Sequence, residues 1–277
     1  MKLGIQKNNI SLEIFPFVKE KNNIRLSQEL RLFENNKPKF TSITYGASGS
    51  IQNNTLSLAT RISNLTSLSL AAHLTCVNSK KEFIKDLLNI YWNKNIRNIV
   101  AIDGDKPKIA LDSDYNFAFE LVEDIKKNND FYISVGFHPE GHPKDKNIRK
   151  EINNLKKKFD HGANQAISQF FFNKDYFLKF RDALSKESPN IKLVPGILLI
   201  SNFEMIERFA KKCKTTIPKE DKKIFYSCEN PNNIPENISI EYAYNLCEKL
   251  KPEGIEDFHI YTLNKLKTTS KLLKILI

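Results

Sequence analysis

Glu13 stands inside Ile10-Ser11-Leu12-Glu13-Ile14-Phe15-Pro16-Phe17, a run that otherwise reads as a buried strand. An unpaired charge in an apolar setting is costly, so such a carboxylate either pairs with a Lys or Arg of a neighbouring strand or takes up a proton and serves as a donor. Other polar groups fall where further strand-like runs end. These are Thr44-Tyr45-Gly46-Ala47, His73-Leu74-Thr75, Asp103-Gly104-Asp105, His138-Pro139-Glu140-Gly141-His142, Gln169, and Tyr261-Thr262-Leu263-Asn264. Taken singly, a strand-end Thr or Asp caps the next helix, and a lone His is a satisfied hydrogen-bonder. Collected on one rim, they read as a ligand site. His138, Glu140 and His142 carry metal-ligand chemistry, but the two prolines imply a rigid turn and no second cluster has ligand spacing. No metal is expected.

The elements that must position these groups alternate along the chain. Strand-like segments cover 10–17, 39–46, 69–76, 98–105, 132–139, 165–172, 192–199 and 257–264. Between them lie helical patterns. In 79–95, Phe83, Leu87, Leu88 and Tyr91 recur at three-to-four spacing, and Ser79 with Glu82 makes a capping box. Similar stretches run over 114–128, 148–161, 174–186, 202–212 and 265–276. Segment 215–237, with Pro218, Pro231 and Pro235, is irregular and precedes another helical pattern at 239–251. Eight strands in βα alternation without a domain-sized gap predict a single (β/α)8 TIM barrel over residues 1–277. No GxGxxG follows the first strand, which excludes a doubly wound dinucleotide fold.

Composition narrows the classes further. The 277 residues are 40% hydrophobic and 27% charged, as in a globular domain. The four cysteines are scattered, with no CxxC pair, so free thiols in a cytoplasmic setting are expected. The N-terminus reads as no signal peptide, and no run reaches membrane-span length. The net charge of +11 is spread over most helical segments rather than gathered with aromatics. Nucleic-acid and membrane partners are therefore not expected; attraction of anionic small molecules is.

In order and spacing these stretches resemble the methylenetetrahydrofolate reductase family in its short bacterial form. ISLEIFPF resembles the first-strand motif, KPKFTSITYGA the second strand, AAHLTC the third, GHP the fifth-strand turn, DHGANQAISQFFF the sixth-strand region, PGILLISNF the seventh and DFHIYTLN the eighth. The resemblance implies a flavoprotein barrel in which NADH or NADPH reduces FAD, and the flavin reduces 5,10-methylenetetrahydrofolate to 5-methyltetrahydrofolate for methionine synthesis. It places Glu13 at the general-acid position: opening the methylene bridge to an iminium requires protonation of the leaving nitrogen, which a carboxylic acid holding its proton near neutral pH supplies. Asp105 matches the carboxylate beside flavin and pterin, and Gln169 an amide serving folate and nicotinamide in turn. Thr44, Tyr45, Ala47 and His73 match positions lining flavin or nicotinamide. Asp103 and Gly104 fall at the flavin side of the fourth strand and His138 at a flavin contact. His142, Asn154, Lys157 and Lys158 match the part holding the ribityl, diphosphate and adenosine portions. Phe209 matches an aromatic under nicotinamide or folate, and Lys265 stands where the family often has Arg. A homo-oligomer is implied as well.

The departures gather around the cofactor. Asp103 replaces an Arg, His138 a Tyr, and Asp112 a small residue, while Met205 replaces an often polar one. They imply FAD held in an adjusted way, or else a diverged flavin-independent paralogue acting as a folate-linked one-carbon enzyme or a folate-binding protein.

Overall fold

The computed structural model describes residues 9–45, 49–104 and 113–277. Its architecture follows from the two periods in the sequence. Strand β1, Ile10–Ile14, sends Ile10, Leu12 and Ile14 into the outer core between strands and helices. Alternation then turns Ser11 and Glu13 to the opposite, lumenal side. Strands β2 (Thr41–Ile43), β3 (Leu70–Thr75), β4 (Asn98–Ile102), β5 (Tyr132–Phe137) and β6 (Gln165–Ser168) follow, each parallel to its predecessor.

The expected seventh strand is one segment broken by a proline. Its halves are β7 (Leu193–Val194) and β8 (Gly196–Leu198), on either side of Pro195. Pro195 has no N–H to give the ladder, although its carbonyl accepts from the His259 N–H at 3.0 Å. β7 pairs with β6, and β8 pairs with β9 (Phe258–Tyr261), which pairs with β1. The parallel ring thus closes through a kinked strand, giving the expected α/β barrel. A small lumenal cluster of Phe40, Ala71, Val100, Ile167 and Val194 fills the barrel below its mouth, with Ile102 and Tyr261 on top.

The helices are α1 (Glu20–Glu29), α2 (Gly49–Leu65), α3 (Lys81–Asn93), α4 (Ala118–Asn128), α5 (Ile148–Asp160), α6 (Lys174–Ser185), α7 (Phe203–Cys213), α8 (Lys219–Tyr226), α9 (Glu236–Leu250) and α10 (Leu266–Leu276). Two expectations about α3 need correction. Ser79 does not cap it: its hydroxyl donates to the Thr75 carbonyl at 2.7 Å, and Asp114 accepts the Lys81 N–H instead. Nor is Phe83 on the buried stripe. Ile84, Leu87, Leu88 and Tyr91 are buried, whereas Phe83 is 41% exposed, because Ile84 lies three, four and seven residues from the other three. Segment 215–237 is also less irregular than it reads, since it contains α8. Among the described residues no helix is long and apolar enough to cross a membrane.

Candidate active site

At the C-terminal mouth of the barrel, register decides which side chains meet. Glu13 pairs with Ser42 on β2 and with Tyr261 on β9. His73 projects from β3, and its Nε2 lies 3.5 Å from Glu13 Oε2. On the other side His259 Nε2 lies 3.9 Å from the same oxygen, and its Nδ1 is hydrogen-bonded to Ser11 Oγ at 2.7 Å. The carboxyl group therefore sits between two imidazoles, one from β3 beyond β2 and one from the adjacent β9. Burial pushes His73 down to about 4, with Glu13 pulling it up and His259 adding to the depression. It is neutral near pH 7. Tyr261 is held well above the usual phenol range by burial and then by Glu13, and its hydroxyl donates to the Ser168 carbonyl at 2.8 Å.

The chain around Glu13 is fixed at both sides. Thr262 donates to the Glu13 carbonyl through its hydroxyl at 2.6 Å and its N–H at 3.3 Å. Asn264 accepts the Phe15 N–H and donates to the Phe15 carbonyl. Gly196 is required beside this layer, because a Cβ there would stand 2.4 Å from Tyr261 Cε2 and 2.3 Å from the Ser168 oxygen.

A second group forms where β4 and β5 end. Gly104 has φ +85°, a turn that a side chain would strain. Asp103 accepts the Ala118 N–H at 3.0 Å and lies 3.8 Å from Lys158 Nζ. Lys158 donates to the Gly136 carbonyl at 2.9 Å. Glu151 accepts the His138 N–H at 2.8 Å, with the His138 ring at 3.5 Å. Burial raises Glu151, but its bond from the His138 side chain and the Lys158 charge outweigh that and hold it below the usual range. The His142 ring stands edge-on to His138 and is pushed down by burial, then by His138.

The remaining expected residues are more dispersed. The Gln169 amide reaches Cys213 Sγ at 3.5 Å, beside a cleft lined by His138, Phe170 and Thr215. Glu140 is committed to the protein: its carboxylate accepts from the N–H and hydroxyl of Thr216, with Lys146 at 3.7 Å. Phe209, on α7, is 41% exposed. Thr44 receives its backbone tie from the Ile14 carbonyl, and alternation puts its side chain on the lumenal face. Tyr45 is on the opposite face, packed on the outer core, and its hydroxyl has no hydrogen-bond partner among the described residues. Asn154 and Lys157 lie on α5, the Lys157 ammonium 5.7 Å from the Phe119 ring centroid, and Lys265 is exposed just before α10. Ala47, Asp105 and Asp112 lie outside the described residues.

Sequence reasoning missed His259, Ser11 and Glu151, whereas Tyr261 stood among the strand-end groups. For the first two the signal was present: Ser11 shares the parity of Glu13, and His259 shares a face with Tyr261 on the last strand. The mouth also fits a polar ring system. His73 Nε2 and the lumen-facing Ser42 Oγ are buried without a hydrogen-bond partner among the described residues, two groups that a flavin or pterin edge would satisfy.

The family model described as methylenetetrahydrofolate reductase matches residues 2–276. A 5,10-methylenetetrahydrofolate reductase of Buchnera aphidicola from Acyrthosiphon pisum is 39% identical, covering 99% of this chain and 94% of its own. That of Escherichia coli is 35% identical over 93% of this chain and 86% of its own. Among solved structures, a Clostridium thermocellum protein described as binding two copies of 5-methyl-5,6,7,8-tetrahydrofolic acid superposes with TM-score 0.68 at 14% identity, over 97% of this chain and 95% of its own. An oxaloacetate acetylhydrolase superposes with TM-score 0.54 at 11% identity, over 97% and 80%. These two likenesses concern the fold.

Proposed function

The chain belongs to the methylenetetrahydrofolate reductase family, and on that premise we propose that it reduces 5,10-methylenetetrahydrofolate to 5-methyltetrahydrofolate with a hydride drawn from NADH or NADPH through bound FAD. The observation that carries this reading is the Glu13 carboxyl group at the barrel mouth between two imidazole nitrogens. When bound, FAD supplies a two-electron carrier that takes a hydride from nicotinamide and gives it to the folate.

The protein supplies the proton and the geometry. Glu13 protonates the leaving nitrogen of the methylene bridge, opening it to the electrophilic iminium. The resulting carboxylate takes up its next proton from solvent, to which its side chain is 21% exposed, while His259, bonded to Ser11, stays fixed beside Oε2. His73, neutral, leaves Glu13 free to change charge without a competing fixed cation. Gln169 orients whichever of folate and nicotinamide is present, Phe209 packs against it, and Lys265 meets the anionic tail of the folate. Asp105 bonds the amino-pyrimidine edge and stabilises the cation.

Thr44, Ala47, His73, Gly104 and His138 would hold the flavin ring side, and His142, Asn154, Lys157 and Lys158 its ribityl and diphosphate side. The Clostridium thermocellum barrel of similar fold is described as binding a reduced folate, which is consistent with a folate in this mouth. The whole activity is assigned to one barrel unit over residues 1–277, assembled as a homo-oligomer in the cytoplasm, its product serving methionine synthesis.

The test is a visible spectrum of the purified protein, taken anaerobically before and after NADH and then after methylenetetrahydrofolate. A yellow protein that bleaches with NADH and recovers with the folate supports every step. A protein that remains colourless with added FAD rejects the flavin part of the reading.

A further inference from the structure

Lys158 is buried, and its ammonium is already engaged by the protein. It donates to the Gly136 carbonyl at 2.9 Å and lies 3.8 Å from Asp103 Oδ2. The other oxygen of Asp103 accepts the Ala118 N–H at 3.0 Å, in the first turn of α4. Asp103 is thus fixed on one side by a helix and on the other by a buried cation, while its side chain remains 53% exposed at the rim. A second carboxylate shares the same cation: Glu151 is buried, and Lys158 is among the groups that keep it charged. Two carboxylates around one ammonium leave the charge of Lys158 itself already matched.

We propose that Asp103 sets how tightly the protein holds its dinucleotide, acting as a resident anion that competes with the cofactor diphosphate for Lys158. The inference rests on the flavin reading above. A diphosphate entering this rim meets an ammonium whose charge is already matched, and it must displace the Asp103 carboxylate or bind against its repulsion. Displacement is open to Asp103 because half of its side chain faces solvent and a single hydrogen bond ties its outer oxygen. The flavin ring, which carries no phosphate, is indifferent to this exchange. Asp103 therefore determines affinity for the dinucleotide tail and not for the ring.

The experiment is a titration of apoprotein with FAD, and separately with riboflavin, following quenching of flavin fluorescence. The proteins are wild type, Asp103→Asn, Lys158→Gln and the double variant. Asparagine keeps an oxygen to accept the Ala118 N–H and removes only the charge. Asp103→Asn is expected to tighten FAD roughly two- to fivefold, the scale of one partly exposed charge pair, and to leave riboflavin unchanged. In the Lys158→Gln background the same substitution is expected to give no gain. The inference is overturned if Asp103→Asn fails to tighten FAD, tightens riboflavin equally, or gives its gain without Lys158. If neither ligand binds any of the four proteins while their circular dichroism matches, the flavin reading itself falls and takes this inference with it. Wild type binding FAD with no response at Asp103 overturns the inference alone.

Discussion

His73 Nε2 stands 3.5 Å from Glu13 Oε2, and burial keeps that imidazole neutral at the pH where the carboxyl group must gain and lose a proton. A cationic neighbour at this distance would favour the carboxylate and disarm it as an acid. A neutral one places no such charge beside it. On the opposite flank His259 is tied to Ser11, so the two imidazoles are held in different surroundings around one oxygen.

The pH dependence of stability follows from His73. Its folded value is pushed down to about 4, against an ordinary value of about 6.5 in the unfolded chain. Between those values the unfolded chain binds a proton that the folded chain refuses, so stability present at neutral pH is lost as pH falls through that window and levels off below it. The full loss is roughly 3 kcal/mol for a shift of this size. Urea midpoints at pH 7, 6 and 5 should fall more steeply for wild type than for His73→Asn; parallel slopes would show that His73 is not the group responsible.

Replacing the acid separates the half-reactions. Glu13→Gln keeps the shape of the mouth but has no acidic proton, so folate reduction should fall about 10²- to 10⁴-fold. Anaerobic reduction of bound flavin by NADH should keep its wild-type rate in the stopped flow. Equal loss in both would remove Glu13 from the role of proton donor.

Gly196→Ala should be destabilising, because its Cβ would fall 2.3 Å from the Ser168 oxygen and 2.4 Å from Tyr261 Cε2. Backbone on one side and a hydrogen-bonded ring on the other leave little to yield, and overpacking of this kind costs about 1–3 kcal/mol. A thermal midpoint equal to wild type would mean that the Tyr261 ring is freer than its bond to Ser168 implies.

Asn264 ties the strand carrying Glu13 to the last strand through two bonds to Phe15, at 3.0 and 2.8 Å. It also has φ +59°, a conformation Asn tolerates better than Ala. Asn264→Ala should lower stability by about 2–4 kcal/mol through the lost pair of bonds and the backbone strain. Amide exchange should quicken at Phe15 first; protection unchanged there would contradict the clamp.

The amino-acid sequence by itself determined the local elements and singled out Glu13 as a carboxylate in an apolar run. Period-two runs and three-to-four spacing are properties of neighbours in the chain, so the strand-like segments and the helices from 79 onward are legible without a fold, and Glu13 stands out because its neighbours Leu12 and Ile14 are apolar. Local pattern fails where a distant partner decides. Ser79 looked like a cap until Thr75 claimed its hydroxyl, and the seventh strand looked continuous until Pro195 divided its pairing between β6 and β9. Only the tertiary structure put His259 and Ser11, 248 residues apart, in hydrogen-bond contact beside Glu13, or let Asp103 and Lys158 share a charge. The reason is register: closing the barrel brings the first strand against the last, and alternation then admits to the mouth only those side chains whose parity matches on both.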